Sequence, residues 1–154
     1  MPAQHSTKIK LVTLTIEEHQ HGEELSTPGV VAQHARSVIG NSDREHLLTY
    51  HLNTHHEIIS YETASIGTLT STLVHPREIF KAAILSNAAC IIVAHNHPSG
   101  NPRPSVQDKS ACKRINDAAK ILGLFLLDFV IVTITENYSF GTSGKLDAGT
   151  QQKQ

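Results

Sequence analysis

No charge of one sign dominates this chain: thirteen Lys and Arg face fourteen Asp and Glu, giving a formal charge of -1 and a pI near 6.8. A broad positive field for a phosphate backbone is therefore missing, and nucleic acid is not expected as a strong partner. Long hydrophobic runs are missing as well. The apolar stretches are short and interrupted, and the opening MPAQHSTKIK has no signal-peptide character, so a soluble, cytoplasmic protein with no membrane partner is expected. Cysteine is scarce, with only Cys90 and Cys112 and no CxxC spacing. That excludes a disulfide framework and a thiolate zinc knuckle, and leaves two reduced structural thiols.

What is present suits one ordinary globular domain: 154 residues, 39% hydrophobic and 18% charged. Ile9, Leu11, Leu14 and Ile16 form a short apolar segment compatible with a strand. Ser26-Thr27-Pro28 reads as a helix start, followed at helical spacing by Val30, Val31, His34, Ala35 and Val38, with Gly40 as a stop. Residues 45–52 and 57–66 are rich in strand formers and flank Asn53-Thr54-His55-His56, which predicts a hairpin or paired meander. His75-Pro76-Arg77-Glu78 opens a second helix ending near Asn87. Residues 89–94 read as a strand covered on both faces. Ser105 opens a third helix running to Gly123, and residues 124–135 read as another buried strand. Strands and helices alternate around one core, which predicts an α/β sandwich. The polar, aromatic-free tail from Thr142 is expected to be disordered.

The eleven histidines decide nothing by number, since His5, His19, His21, His55 and His56 are scattered. Spacing is more informative. His95-Asn96-His97-Pro98-Ser99-Gly100 stands where the buried strand runs out, and residues two apart on a strand share a face. Asp108 follows eleven positions after His97, across a stiff segment containing Pro98, Gly100, Pro102 and Pro104. Two imidazoles and one carboxylate suit zinc, and three protein ligands leave a position open for water. Each residue also has a plainer reading. His95 and His97 could be loop histidines satisfied by hydrogen bonds. With Ser105 as N-cap, Asp108 is the third helical residue of a capping-box-like Ser-Val-Gln-Asp.

The same residues carry a resemblance. His95-x-His97, ten residues and Asp108, with a serine three positions before that Asp, resembles the JAMM motif of MPN-domain metalloproteases. VHPREIFKAAILSNAACIIVAHNHPSGNPRPS and the later LGLFLLDFVIVT resemble the bacterial RadC family, over about residues 27–141. The resemblance implies an MPN/JAMM-like, cytidine-deaminase-like α/β sandwich with a mixed sheet flanked by helices. It divides the chain into an N-terminal extension (1–26), the domain (27–141) and the tail (142–154). It further implies zinc held by His95, His97 and Asp108, Glu45 in DREHLLTYHL as the acid/base residue, and the Ser105 hydroxyl as a donor to the oxyanion. The implied reaction is amide or isopeptide hydrolysis of a peptide or protein substrate.

Without the resemblance, nothing selects Glu45 over Glu57 or Glu62, and Glu78 is explained by its helix start. Two departures stand out: many RadC-like sequences carry an acid where Asn101 stands and a histidine where Phe129 stands. Longer family members have an upstream region with helix-hairpin-helix elements, for which the 26 residues before the domain are too few. A DNA-repair role, and a non-catalytic interaction module retaining the metal, are the competing functions. Cys90, five residues before His95, should face away from it, and Cys112 is expected in the core. The H-x-E and P-C-x-x-C signature of nucleobase deaminases is absent.

Overall fold

A computed structural model describes residues 28–67 and 75–146. The apolar segment Ile9–Ile16, the Ser26-Thr27 helix start and the tail beyond Leu146 lie outside the described residues. The order is α1 (Pro28–Ile39), β1 (His46–Leu52), β2 (Ile58–Ile66), α2 (Pro76–Leu85), β3 (Cys90–Asn96), α3 (Val106–Leu122), β4 (Phe125–Val132) and β5 (Asn137–Ser139). The five strands form one mixed sheet in the order β2-β1-β3-β4-β5. β1 runs antiparallel to β2 and β3, β3 and β4 are parallel across the α3 connection, and β5 returns antiparallel to β4.

Strand alternation assigns the two faces. Leu47, Ile91, Val93, Phe129 and Ile131 meet Ile79, Phe80 and Ala83 of α2 and Cys112, Ile115 and Ala119 of α3. Leu48, Tyr50, Leu52, Cys90, Ile92, Ala94, Val130 and Val132 meet Val31, Ala32, Ala35 and Ile39 of α1. The protein is thus a three-layer α/β sandwich. β3 is buried at every position, as its unbroken apolar run requires when helices cover both faces. Among the described residues, no helix is long and apolar enough to cross a membrane.

Two local differences from the sequence expectation lie at the C-terminal end. The strand expected over 124–135 is β4, but it stops at Val132, and a short strand not expected from the sequence follows it. Thr133 closes a turn, its N–H donating to Glu136 O at 2.8 Å and its Oγ1 accepting from Glu136 N at 2.9 Å, and the chain comes back as β5. Three residues are too few to show a period. Residues 142–146, which composition assigns to the tail, are ordered by tertiary contact. Lys145 N donates to Phe140 O at 3.0 Å, and Leu146 packs against the α2/α3-side core.

Candidate metal centre

The site is assembled at one pole of the sheet, where β3 ends, α3 begins and β1 starts. His95 is the penultimate residue of β3, and His97 lies just beyond its end, tied to the sheet by its N–H donating to Val132 O at 2.9 Å. Between His97 and α3 the chain turns at Gly100, whose φ of 78° falls in the left-handed region that a side chain disfavours. The imidazole rings stand edge-to-face with centroids 4.9 Å apart.

Both rings are anchored through Nδ1. His95 Nδ1 lies 2.9 Å from His46 O, and His97 Nδ1 lies 2.8 Å from Asn101 O. A carbonyl oxygen can only accept, so each Nδ1 carries a proton; a neutral ring then presents the lone pair of Nε2 to the interior, and only a protonated His97 can donate from Nε2 to Asp108. Backbone carbonyls behind metal-binding imidazoles fix the tautomer in just this manner. His95 Nε2 is buried and has no hydrogen-bond partner. An orphaned imidazole nitrogen in a buried position is costly unless something occupies its lone pair, and that is the structural observation that fits a metal.

Asp108 faces both rings, Oδ1 at 3.7 Å from His95 Nε2 and Oδ2 at 3.3 Å from His97 Nε2. It is also the acidic half of a capping box. Ser105 N and Ser105 Oγ each donate to Asp108 Oδ2 at 2.6 Å, and Asp108 N donates to Ser105 Oγ at 3.1 Å. The two roles share one oxygen: Oδ2 accepts both cap bonds and also lies toward His97, while Oδ1 takes no part in the cap and is left toward His95. Burial alone would raise the Asp108 pKa, but the bonds from His97 and Ser105 outweigh it and hold the group at about 2. The two histidines respond differently to the same carboxylate. His97 is raised, chiefly by its hydrogen bond to Asp108, whereas burial lowers the deeper and more distant His95.

Glu45 comes from a different direction. β1 is antiparallel to β3 with Leu47 opposite His95, so the residue just before β1 falls beside the end of β3. One ligand atom each from Glu45, His95 and His97 lie within 4.8 Å of one another, which makes this group able to hold a metal ion. Distance therefore does not rank Glu45 below Asp108 as a ligand. Anchorage does distinguish them, since Asp108 is 1% exposed and fixed by its cap while Glu45 is half-buried at a strand start. The other glutamates are elsewhere. Glu57 bonds Asn53 in the hairpin at the far end of β1, and Glu62 lies opposite Thr49 in the middle of β2.

The departures at Asn101 and Phe129 touch this geometry differently. Asn101 serves His97 through its backbone carbonyl, which any residue offers. Phe129 is fully buried, edge-to-face with Phe140 at 5.3 Å, as part of the core. Cys90 and Cys112 are buried on opposite faces of the sheet, in the two separate cores.

A mixed five-stranded sheet flanked by three helices, with two histidines and two carboxylates converging at one pole, defines a JAB/MPN-like domain with a potential metal site. The RadC-like JAB domain matches residues 25–145, and the chain belongs to the RadC family. A UPF0758 protein of Rubrobacter xylanophilus is 48% identical over 108 residues, covering 70% of this chain and 48% of that protein. Another, from Chlorobium chlorochromatii, is 42% identical over 123 residues, covering 80% and 55% respectively. A third, from Desulforamulus reducens, is 51% identical over 90 residues, 58% of this chain and 40% of its own. The chain thus spans about half the length of the curated relatives it matches.

Proposed function

We propose that this domain is a zinc-dependent hydrolase of the JAMM type, acting on amide or isopeptide bonds in a peptide or protein substrate. The observation that carries the reading is the unpartnered Nε2 of buried His95, a residue whose ligand atom lies within 4.8 Å of those of His97 and Glu45, with the Asp108 carboxylate 3.3 to 3.7 Å from the two rings. His95, His97 and Asp108 would hold the ion. Two imidazole nitrogens and a carboxylate oxygen are a zinc donor set, and the chemistry zinc supplies in such a set is Lewis acidity toward water and carbonyl oxygen.

The remaining steps belong to the chain's own residues. Glu45 accepts the proton of the attacking water and returns it to the leaving amine, a role that suits a half-buried carboxylate beside the ligands. The Ser105 hydroxyl is the candidate donor to the developing oxyanion. Its proton is committed to Asp108 Oδ2 at 2.6 Å in this structure, so an oxyanion must compete for it. Removing such a donor typically costs about 10² to 10³ in rate.

Zinc content and hydrolysis of peptide and isopeptide-linked substrates, measured on a set of variants with folding checked by circular dichroism, test the reading. His95→Ala, His97→Ala and Asp108→Ala should lose zinc. Glu45→Gln should still fill to one zinc per chain at saturating zinc, with affinity weakened but not lost, while losing about 10² to 10⁴ in turnover, the usual worth of a general acid/base. Full zinc occupancy in Asp108→Ala would return that residue to capping alone, and undiminished turnover in Glu45→Gln would remove it as the base. A folded wild-type protein that takes up no zinc would end the metal reading altogether.

A further inference from the structure

Asn96 stands between the two histidines and takes no part in the chemistry just described, yet its side chain makes two short bonds at 1% exposure. Its Oδ1 accepts from His46 N at 2.6 Å and its Nδ2 donates to Arg44 O at 3.0 Å. Those two partners flank Glu45. They also fix the amide's orientation, since an N–H requires the oxygen and a carbonyl requires the NH₂.

The last backbone pairing between β1 and β3 is Leu47 opposite His95. One position further on, the Asn96 carboxamide takes the place of a peptide rung and continues the attachment back to residue 44. Two other bonds complete the anchorage. Gly67 N donates to Glu45 O at 2.7 Å, and His46 O accepts from His95 Nδ1 at 2.9 Å. The backbone around Glu45 is thus held by β2 on one side and by two consecutive residues of β3 on the other. Chemistry explains why the residue is asparagine. Aspartate has no donor for Arg44 O, and serine is too short to span both partners.

We propose that Asn96 is a positioning residue that holds Glu45 against the His95–His97 pair, so that one strand end sets both the ligands and the acid/base group. The functional meaning of the clamp rests on the metal reading above; its own bonds, from Asn96 to residues 44 and 46, do not.

The test is a double-variant cycle in zinc affinity, read by competition with a chromophoric chelator on wild type, Asn96→Ala, Glu45→Gln and the pair combined. Groups that support first ligands typically contribute about 10- to 100-fold in metal affinity. Each single variant should therefore bind zinc about 10-fold more weakly, and the combined variant no more weakly than either, because both remove the same Glu45 effect. Unchanged affinity in Asn96→Ala would overturn the proposal, as would a combined loss equal to the product of the single losses. Should Asn96→Ala fail to fold, Asn96→Ser enters the same cycle with the same criteria. If wild type binds no zinc, the metal reading fails separately and metal-free crystal structures decide the clamp. Glu45 withdrawn from the 4.8 Å group in the variant supports it, and Glu45 unmoved overturns it.

Discussion

Replacing His51 with leucine should make the protein more tolerant of acid. His51 is fully buried on β1, facing α2 and α3; its Nδ1 is 2.8 Å from Ser60 Oγ, and its Nε2 has no partner. Burial pushes its pKa down to about 4. An imidazole whose folded pKa lies below the unfolded value of about 6.5 contributes stability that is fully present above that value and lost as pH falls toward the folded one. The full gap corresponds to about 3 kcal/mol, of which roughly 2 kcal/mol is already lost at pH 5 and very little at pH 7. Urea unfolding of wild type and His51→Leu at pH 7 and pH 5 isolates this contribution, because the other titrating groups cancel in the difference. The leucine variant should gain about 2 kcal/mol relative to wild type between the two pH values. Parallel pH profiles would mean that the imidazole titrates normally in the folded state, refuting the argument from burial.

Three further outcomes follow from other parts of the molecule. Asp128→Ala should cost about 2 to 4 kcal/mol in urea unfolding, because the buried carboxylate accepts from Phe129 N at 2.7 Å, Ser139 Oγ at 2.6 Å and Gly141 N at 2.8 Å. A loss below about 1 kcal/mol would show that water replaces these bonds at no penalty. In the folded protein both thiols should resist alkylation, since Cys90 and Cys112 are 5% and 4% exposed and burial pushes Cys112 up to about 12; labelling at the rate of a free thiol would contradict the packing. Fluorescence anisotropy with single- and double-stranded oligonucleotides should find only weak binding, given the formal charge of -1. A dissociation constant well below about 10⁻⁶ M at physiological salt would contradict that expectation.

The features legible in the sequence were those fixed within one element. Ser105 and Asp108 declared the start of α3 by capping chemistry, and that box forms with bonds of 2.6 to 3.1 Å. Alternation along β3 separated Cys90 from His95, and those residues do face opposite sides. The HxH spacing marked the end of a buried strand because an unbroken apolar run gives way there to a polar, proline-rich loop. Glu45 is a different case. Its own surroundings gave no reason to choose it over Glu57 or Glu62; only the family resemblance did so, and its approach to the histidines depends on Leu47 pairing with His95. The clamp by Asn96 on residues 44 and 46 was invisible for the same reason, and so were the turn at Thr133 and the seating of Leu146. Capping and alternation are consequences of bonds a few residues long, so the sequence by itself determines them. Which strand lies beside which, and in what register, is decided by the burial of the whole sheet between α1 and the α2/α3 layer. Only the tertiary structure could bring a glutamate at the start of β1 to the histidines at the end of β3.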